Sequence, residues 1–247
     1  MRTINIASAA IPGYRHVESV RRAYLGVTEA FGEASTAEMQ LCPQHPGVMD
    51  EKAAEAIREQ YPNTQFRLHA NVRIEHEFHK FDASTPWRLS EPYFRTMAAV
   101  NMTLGGQTYS LHAGRRATAD LGQMSETVRR VEEVLGIPVA VEGLYPDPKN
   151  GYLLSTWDEY AWLRDSGLNF AIDLSHLNIV VYRSRERRDD LVKELISSER
   201  CMEIHISGND GRKDAHQPVD GKEWWWGLLD AANPSATFFT EGMNLDR

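Results

Sequence analysis

Phe66-Arg67-Leu68-His69 is a short, largely apolar run that ends on a side chain able to bind a metal. The chain repeats the pattern in Tyr109-Ser110-Leu111-His112, Val139-Ala140-Val141-Glu142 and Phe170-Ala171-Ile172-Asp173. It does so again in Met202-Glu203-Ile204-His205 and Thr237-Phe238-Phe239-Thr240-Glu241. Each run has the length and composition of a buried strand. Strands that repeatedly deliver His, Glu or Asp at their C-terminal ends build one site from many strands. A closed (β/α)8 barrel does this, because its pocket lies at the C-terminal mouth. Imidazole and carboxylate donors converging there suit zinc, manganese or iron rather than a thiolate-bound cluster.

Helical segments alternate with these strands. Ile4–Ala9 reads as a first strand, followed by a helix over His16–Phe31. Ala37–Leu41 reads as a second strand, with a helix over Asp50–Gln60. A charged, aromatic loop, Glu75–Leu89, leads to a helix over Glu91–Leu104, closed by Gly105-Gly106. Met124, Val128, Val131 and Leu135 lie on one helical face before Gly136. Further helices are expected over Thr156–Asp165 and Arg187–Ser198, and a tryptophan-rich one from about Gly221. Eight strands alternating with helices predict a parallel sheet covered on both faces and closed into a barrel, lacking the last helix.

The 247 residues suit one domain spanning 1–247, with 42% apolar residues to fill a large core. Acidic residues (35) outnumber basic ones (27), so the net charge of −8 argues against a nucleic-acid partner. Cys42 and Cys201 show neither zinc-ligand spacing nor a disulfide framework, which predicts a reducing cytoplasm. Met1–Ala10 reads as a strand rather than a leader, since Asn5 interrupts its apolar run. No stretch reaches the ~18 apolar residues of a membrane span.

Two local motifs sharpen the site. Asp173-Leu174-Ser175-His176 sets a carboxylate and an imidazole three residues apart, and Asp214-Ala215-His216 sets another such pair after the seventh strand. Five of the nine histidines, with four carboxylates, fall at or just after strand ends, a placement hard to ascribe to chance. Arg115 and Arg116 follow His112 and suit an anionic substrate group. Asn209, Asp210 and Arg212 lie between ligand candidates, Asn178 follows His176, and Tyr145 follows Glu142. Of these, Arg115, Asn209 and Arg212 are the expected cofactor or substrate contacts. His16 and His45 follow the first two strands and are weaker candidates, whereas His76 and His79 read as surface residues. Trp224-Trp225-Trp226 either walls the pocket or packs a helix on the barrel.

In this ligand order the chain resembles the xylose-isomerase-like TIM-barrel superfamily, and endonuclease IV within it. The resemblance runs from about His69 to Glu241 and includes His205-Ile206-Ser207-Gly208-Asn209-Asp210-Gly211. It implies nine metal ligands: His69, His112, Glu142, Asp173, His176, His205, Asp214, His216 and Glu241. Glu142, Asp173, His205 and Glu241 would hold an inner ion. His69 and His112 would hold a second, bridged by Glu142, and His176, Asp214 and His216 a third. Two or three divalent ions are therefore expected, iron first, with zinc or manganese compatible.

The resemblance leaves three reactions open. The first is oxidation with dioxygen, as in the multinuclear non-heme iron enzymes, acting on a peptide or small polar substrate with or without a separate recognition protein. The second is metal-dependent isomerisation or epimerisation of a sugar or sugar phosphate. The third is zinc-dependent phosphodiester hydrolysis. Glu142, Glu241 and His176 are the expected catalytic groups. A non-catalytic binding module is disfavoured by nine ligands with no gap.

Overall fold

The computed structural model describes residues 3–29, 32–42, 46–70 and 80–243. Eight parallel strands close into a barrel: β1 (Ile4–Ala7), β4 (Ser35–Leu41), β5 (Gln65–His69), β6 (Tyr109–His112), β7 (Val139–Glu142), β8 (Asn169–Asp173), β9 (Cys201–Ile206) and β10 (Thr237–Thr240). The remaining two, β2 (Thr28–Glu29) and β3 (Gly32–Glu33), form a small antiparallel pair outside it. Seven helices accompany the barrel: α1 (His16–Ala23), α2 (Glu51–Gln60), α3 (Trp87–Leu104), α4 (Leu121–Leu135), α5 (Trp157–Asp165), α6 (Leu174–Ser184) and α7 (Asp189–Ser197). This is a (β/α)8 TIM barrel, and no helix follows β10 among the described residues. Among the described residues, no helix is long and apolar enough to cross a membrane.

Successive strand residues point to opposite faces of a sheet, so period two sorts each strand into two environments. Ile6, Met39, Leu41, Phe66, Leu68, Leu111, Val141, Phe170, Ile172 and Ile204 join the large core between barrel and helices. The alternate residues fill the barrel itself, where the apolar cluster is only Ala7, Ala9, Cys42 and Phe239. Ala140 and Ala171 are also buried there, and much of the remaining interior is polar. Arg67 Nη1 donates to Glu203 Oε1 at 2.8 Å, its other nitrogen pairs with Glu38 and Thr237, and its guanidinium lies 5.1 Å over the Phe239 ring. Ser110 and Gln40 also donate to Glu203.

Helix starts follow local chemistry. Asp50 caps α2, Asp120 and Gln123 form a reciprocal capping box on α4, and Thr156 caps α5. The expected first helix ends early, at Ala23, because Gly26 turns the chain at φ +92 into β2; its expected end at Phe31 lies outside the described residues. The helix expected over Arg187–Ser198 is α7, and it is preceded by a helix not expected from the sequence: α6, capped by Asp173 and ended by Arg185 at φ +58. α3 starts at Trp87 and runs through Pro92.

The tryptophan-rich helix reduces to a 3-10 turn, Trp226–Ala231. Its three tryptophans have different destinations. Trp225 is buried in the core, Trp224 Nε1 donates to Asn178 Oδ1, and Trp226 packs at the core edge. Asn233, anchored to the Ile196 carbonyl, ends the segment before Pro234.

Arg67 carries the charge balance of the lower barrel. Arg67→Ala would strand Glu203, which is fully buried, and is expected to cost about 3 kcal/mol or more in urea unfolding. A loss below about 1 kcal/mol would show that solvent reaches these ions.

Candidate metal centre

The strand register aligns the candidate ligands in neighbouring pairs. His112 stands beside Glu142, and Asp173 beside His205. His69 ends β5 and Glu241 directly follows β10, so all these side chains meet at the C-terminal mouth. His176 comes from the first turn of α6, and Asp214 and His216 from the loop after β9. That loop is pinned by paired backbone hydrogen bonds between Gly208 and Gln217 (2.6 and 2.8 Å), and His216 sits in the left-handed region at φ +44. Such a conformation costs energy in a residue other than glycine and recurs where a side chain must be aimed.

Glu142 is the hub. Its Oε2 lies 3.2 Å from His69 Nε2, 3.4 Å from His112 Nε2 and 3.8 Å from His205 Nδ1. His205 Nδ1 is also 3.8 Å from Glu241 Oε1. On the other side, His176 Nε2 is 3.5 Å from both Asp173 Oδ2 and Asp214 Oδ2. His216 Nε2 is 3.0 Å from Asp214 Oδ2, and its Nδ1 is 3.5 Å from Glu241 Oε2. Three sets of donor atoms lie within 4.8 Å of one another: His69–Glu142–His205, Glu142–Asp173–His176 and Asp173–His205–Glu241. The last matches the expected inner ion. The other two connect the expected outer pairs to it through Glu142 and Asp173.

These residues fit divalent ions. Glu142 Oε2, His205 Nδ1 and Asp214 Oδ1 are buried without a hydrogen-bond partner. Lone pairs left this way in a protein interior are costly, and a cation satisfies them. Imidazole and carboxylate donors, with both cysteines buried elsewhere as free thiols, suit zinc, iron or manganese. Neighbouring groups fix the ligands. The Asp173 Oδ1 atom caps α6 by accepting from Ser175 and His176 amides (2.6 and 3.1 Å), leaving Oδ2 to face the cluster. His176 Nδ1 is 2.9 Å from the Gly143 carbonyl, which selects the tautomer with a free Nε2. Gly143 is required here, since a Cβ would sit 2.4 Å from the Tyr160 ring.

The electrostatics agree. Burial pulls His69 down to about 3, so its imidazole stays neutral and available as a donor. Burial and the nearby Asp173 and Glu142 carboxylates push Glu241 up. Burial opposes a proton on His216, but the Asp214 and Glu241 carboxylates outweigh it and raise the group to about 9. Protons collect on imidazoles because four carboxylates crowd one space, and divalent ions would replace them there.

Two partners were not apparent from the motifs. Glu203 and Gln40 contact His205 Nε2 at 3.1 and 3.2 Å from inside the barrel. The signal was period two: Glu203 precedes His205 by two residues and shares its face. The centre opens into a cavity of 620 Å³ whose outer lining includes Lys80, Asp82, Arg115, Thr118, Tyr145 and Tyr152. Of the expected contacts, Arg115 lines it, but Asn209 and Arg212 do not. Asn209 braces the ligand loop against the Ser175 carbonyl and Asn178. The Arg212 side chain is 70% exposed and reaches Tyr182 instead. Asp210 pairs with Arg212, and Arg116 with Glu159. His16 is buried at the start of α1, away from the cavity lining. His45, His76 and His79 lie outside the described residues.

No family model matches the sequence, and no curated protein matches it. Solved structures do. A D-tagatose 3-epimerase-like protein superposes with a TM-score of 0.68 at 13% identity, covering 97% of this chain and 90% of its own. AP endonuclease, family 2, from Brucella melitensis gives 0.68 at 14% identity, covering 100% and 95%. The IOLI protein with a binding zinc atom gives 0.63 at 9% identity, covering 97% and 88%. At these identities the likeness is one of fold. The chain shares the (β/α)8-barrel fold of these proteins.

Protein purified with metal is expected to hold more than one ion per chain by elemental analysis. His69→Ala or His112→Ala should lower that number with the circular dichroism spectrum unchanged, and an unaltered count in both would remove the outer position. Glu142→Gln is expected to be the most damaging single change, since one carboxylate serves several imidazole-lined positions. Outer-shell losses typically cost ~10–100-fold in metal affinity, and this one should exceed them in a chelator competition.

Proposed function

We propose that the protein is a metal-dependent isomerase or epimerase acting beside the carbonyl of a small hydroxylated molecule. The carrying observation is the pair Glu142 and Glu241. Both line the cavity, both are buried, and each places a carboxylate oxygen 3.8 Å from the same His205 nitrogen. Glu142, Asp173, His205 and Glu241 would hold the inner ion, which when bound supplies Lewis-acid polarisation of a carbonyl oxygen. One glutamate takes the proton from the adjacent carbon, and the other, or the same one, returns it. Return by the other glutamate to the opposite face of the same carbon inverts it; return to the former carbonyl carbon, with the neighbouring hydroxyl proton passing to the former carbonyl oxygen, moves the carbonyl. The structurally similar epimerase-like protein supports this reading.

Phosphodiester hydrolysis is the second reading. His69, His112, Asp214 and His216 exceed what proton transfer needs, and the similar AP endonuclease favours it. Oxidation by iron and dioxygen draws no support from the similar structures.

The test is solvent-deuterium exchange into a panel of ketoses by metal-loaded protein, read by NMR. Exchange that is lost in both Glu142→Gln and Glu241→Gln is expected. No exchange, with cleavage of bis(p-nitrophenyl) phosphate, would replace the proposal with hydrolysis. Dioxygen uptake by a coloured, anaerobically purified iron form would replace it with oxidation.

A further inference from the structure

Arg115 and Arg116 are adjacent in sequence and opposite in circumstance. The Arg116 guanidinium is committed to Glu159, at 2.7 and 2.6 Å, and to Ser155 at 3.3 Å. Arg115 lines the cavity and forms no ion pair with any described carboxylate. An aromatic face holds it instead. Its guanidinium lies 4.9 Å over the Tyr152 ring. Tyr152 packs against Tyr145 at 5.9 Å, and Tyr145 against His176 at 4.8 Å. A row of rings therefore leads from a candidate metal ligand to a cation at the outer end of the cavity.

The backbone under Arg115 is stitched to two other loops. Its amide donates to Ser84 Oγ at 2.8 Å, and Arg115 and Tyr152 form an antiparallel bridge. Leu153 N donates to the Gly114 carbonyl at 2.9 Å, and Arg116 N to that of Gly151 at 3.0 Å. Gly114, at φ +91, is needed for this closeness, because a Cβ would stand 2.4 Å from Asp82 Oδ1 and Ser84 Oγ. A guanidinium held by ring stacking keeps its N–H donors for a ligand, and its planar fork matches a carboxylate or phosphate.

We infer that Arg115 forms an anion subsite, so that the substrate is a small polyhydroxylated molecule carrying a phosphate or carboxylate away from its reacting end. The hydroxylated chain lies along Tyr145 and Tyr152, and the anion meets Arg115, with Lys80 as the second cation of the lining. Among the described lining residues these two are the only lysine or arginine, against Asp82, Glu142, Asp214 and Glu241. That balance fits one terminal anion rather than a nucleic-acid backbone, whose binding needs many cations. The inference rests on the small-molecule reading proposed above.

The experiment is calorimetric titration of metal-loaded wild type, Arg115→Gln and Arg115→Lys. The probes are D-xylulose, D-xylulose 5-phosphate, D-fructose, D-fructose 6-phosphate and D-glucuronate. At least one anionic probe should bind the wild type roughly tenfold or more tightly than the neutral sugars. Arg115→Gln should abolish that advantage, Arg115→Lys should keep part of it, and the neutral sugars should bind all three proteins alike. Dependence on the phosphate or on the carboxylate arm names the anion. Anionic binding that persists in Arg115→Gln would place the anion on the metal centre and overturn the subsite, as would the absence of any anionic preference. An Arg115-dependent preference without deuterium exchange into any sugar upholds the subsite and sinks the isomerase reading alone.

Discussion

Glu142, Asp173, Asp214 and Glu241 converge at the inner end of the cavity, and their mutual repulsion is the constraint that the upper barrel answers. Like charges at these distances repel strongly in a low-dielectric interior. The chain surrounds the four carboxylates with five imidazoles, fixes one of them with the amides of a helix start, and leaves other lone pairs without protein partners. Each device lowers the repulsion without removing it. Divalent cations at these donors would complete the neutralisation.

A second, separate balance operates one layer down. Glu203 and Glu38 are answered by Arg67, and Glu203 also reaches His205 through its Nε2 edge. The two layers therefore share an imidazole. A change in the lower layer alters the orientation of a side chain in the upper one, although no lower residue touches the cavity. Carboxylate–imidazole contacts of this kind set the tautomer and basicity of a metal-facing histidine.

The barrel was legible in the sequence because its strands are short and each ends on a distinctive side chain. The strand from Cys201 to Ile206 and the strand ends at His69, His112, Glu142 and Asp173 follow from short, largely apolar runs that end on a ligand side chain. Strand ends accounted for His69, His112, Glu142, Asp173, His205 and Glu241, whereas His176, Asp214 and His216 were legible from two local motifs and the family resemblance. Helices were less so. The Asp173-Leu174-Ser175-His176 stretch reads as a ligand loop, yet the same aspartate caps a helix that starts at once. Arg185 ends a helix that was not expected, and the three tryptophans break one that was, through tertiary packing that no local pattern encodes. Loop residues were the least legible: Asn209 and Arg115 look alike as polar residues near ligands, and only the folded chain separates a brace from a cavity wall.

Arg67, Glu203 and Phe239 together fill the barrel's cross-section beneath the candidate metals. Their hydrogen bonds and ring contact belong to the packed interior that a (β/α)8 barrel has in place of a pore. The cavity is thus a cul-de-sac. Whatever enters must leave by the same opening, past the same tyrosines, so substrate and product occupy one place in turn. For an enzyme with the activity proposed above, product would then inhibit by competing with substrate, and the reverse reaction would use the same approach as the forward one.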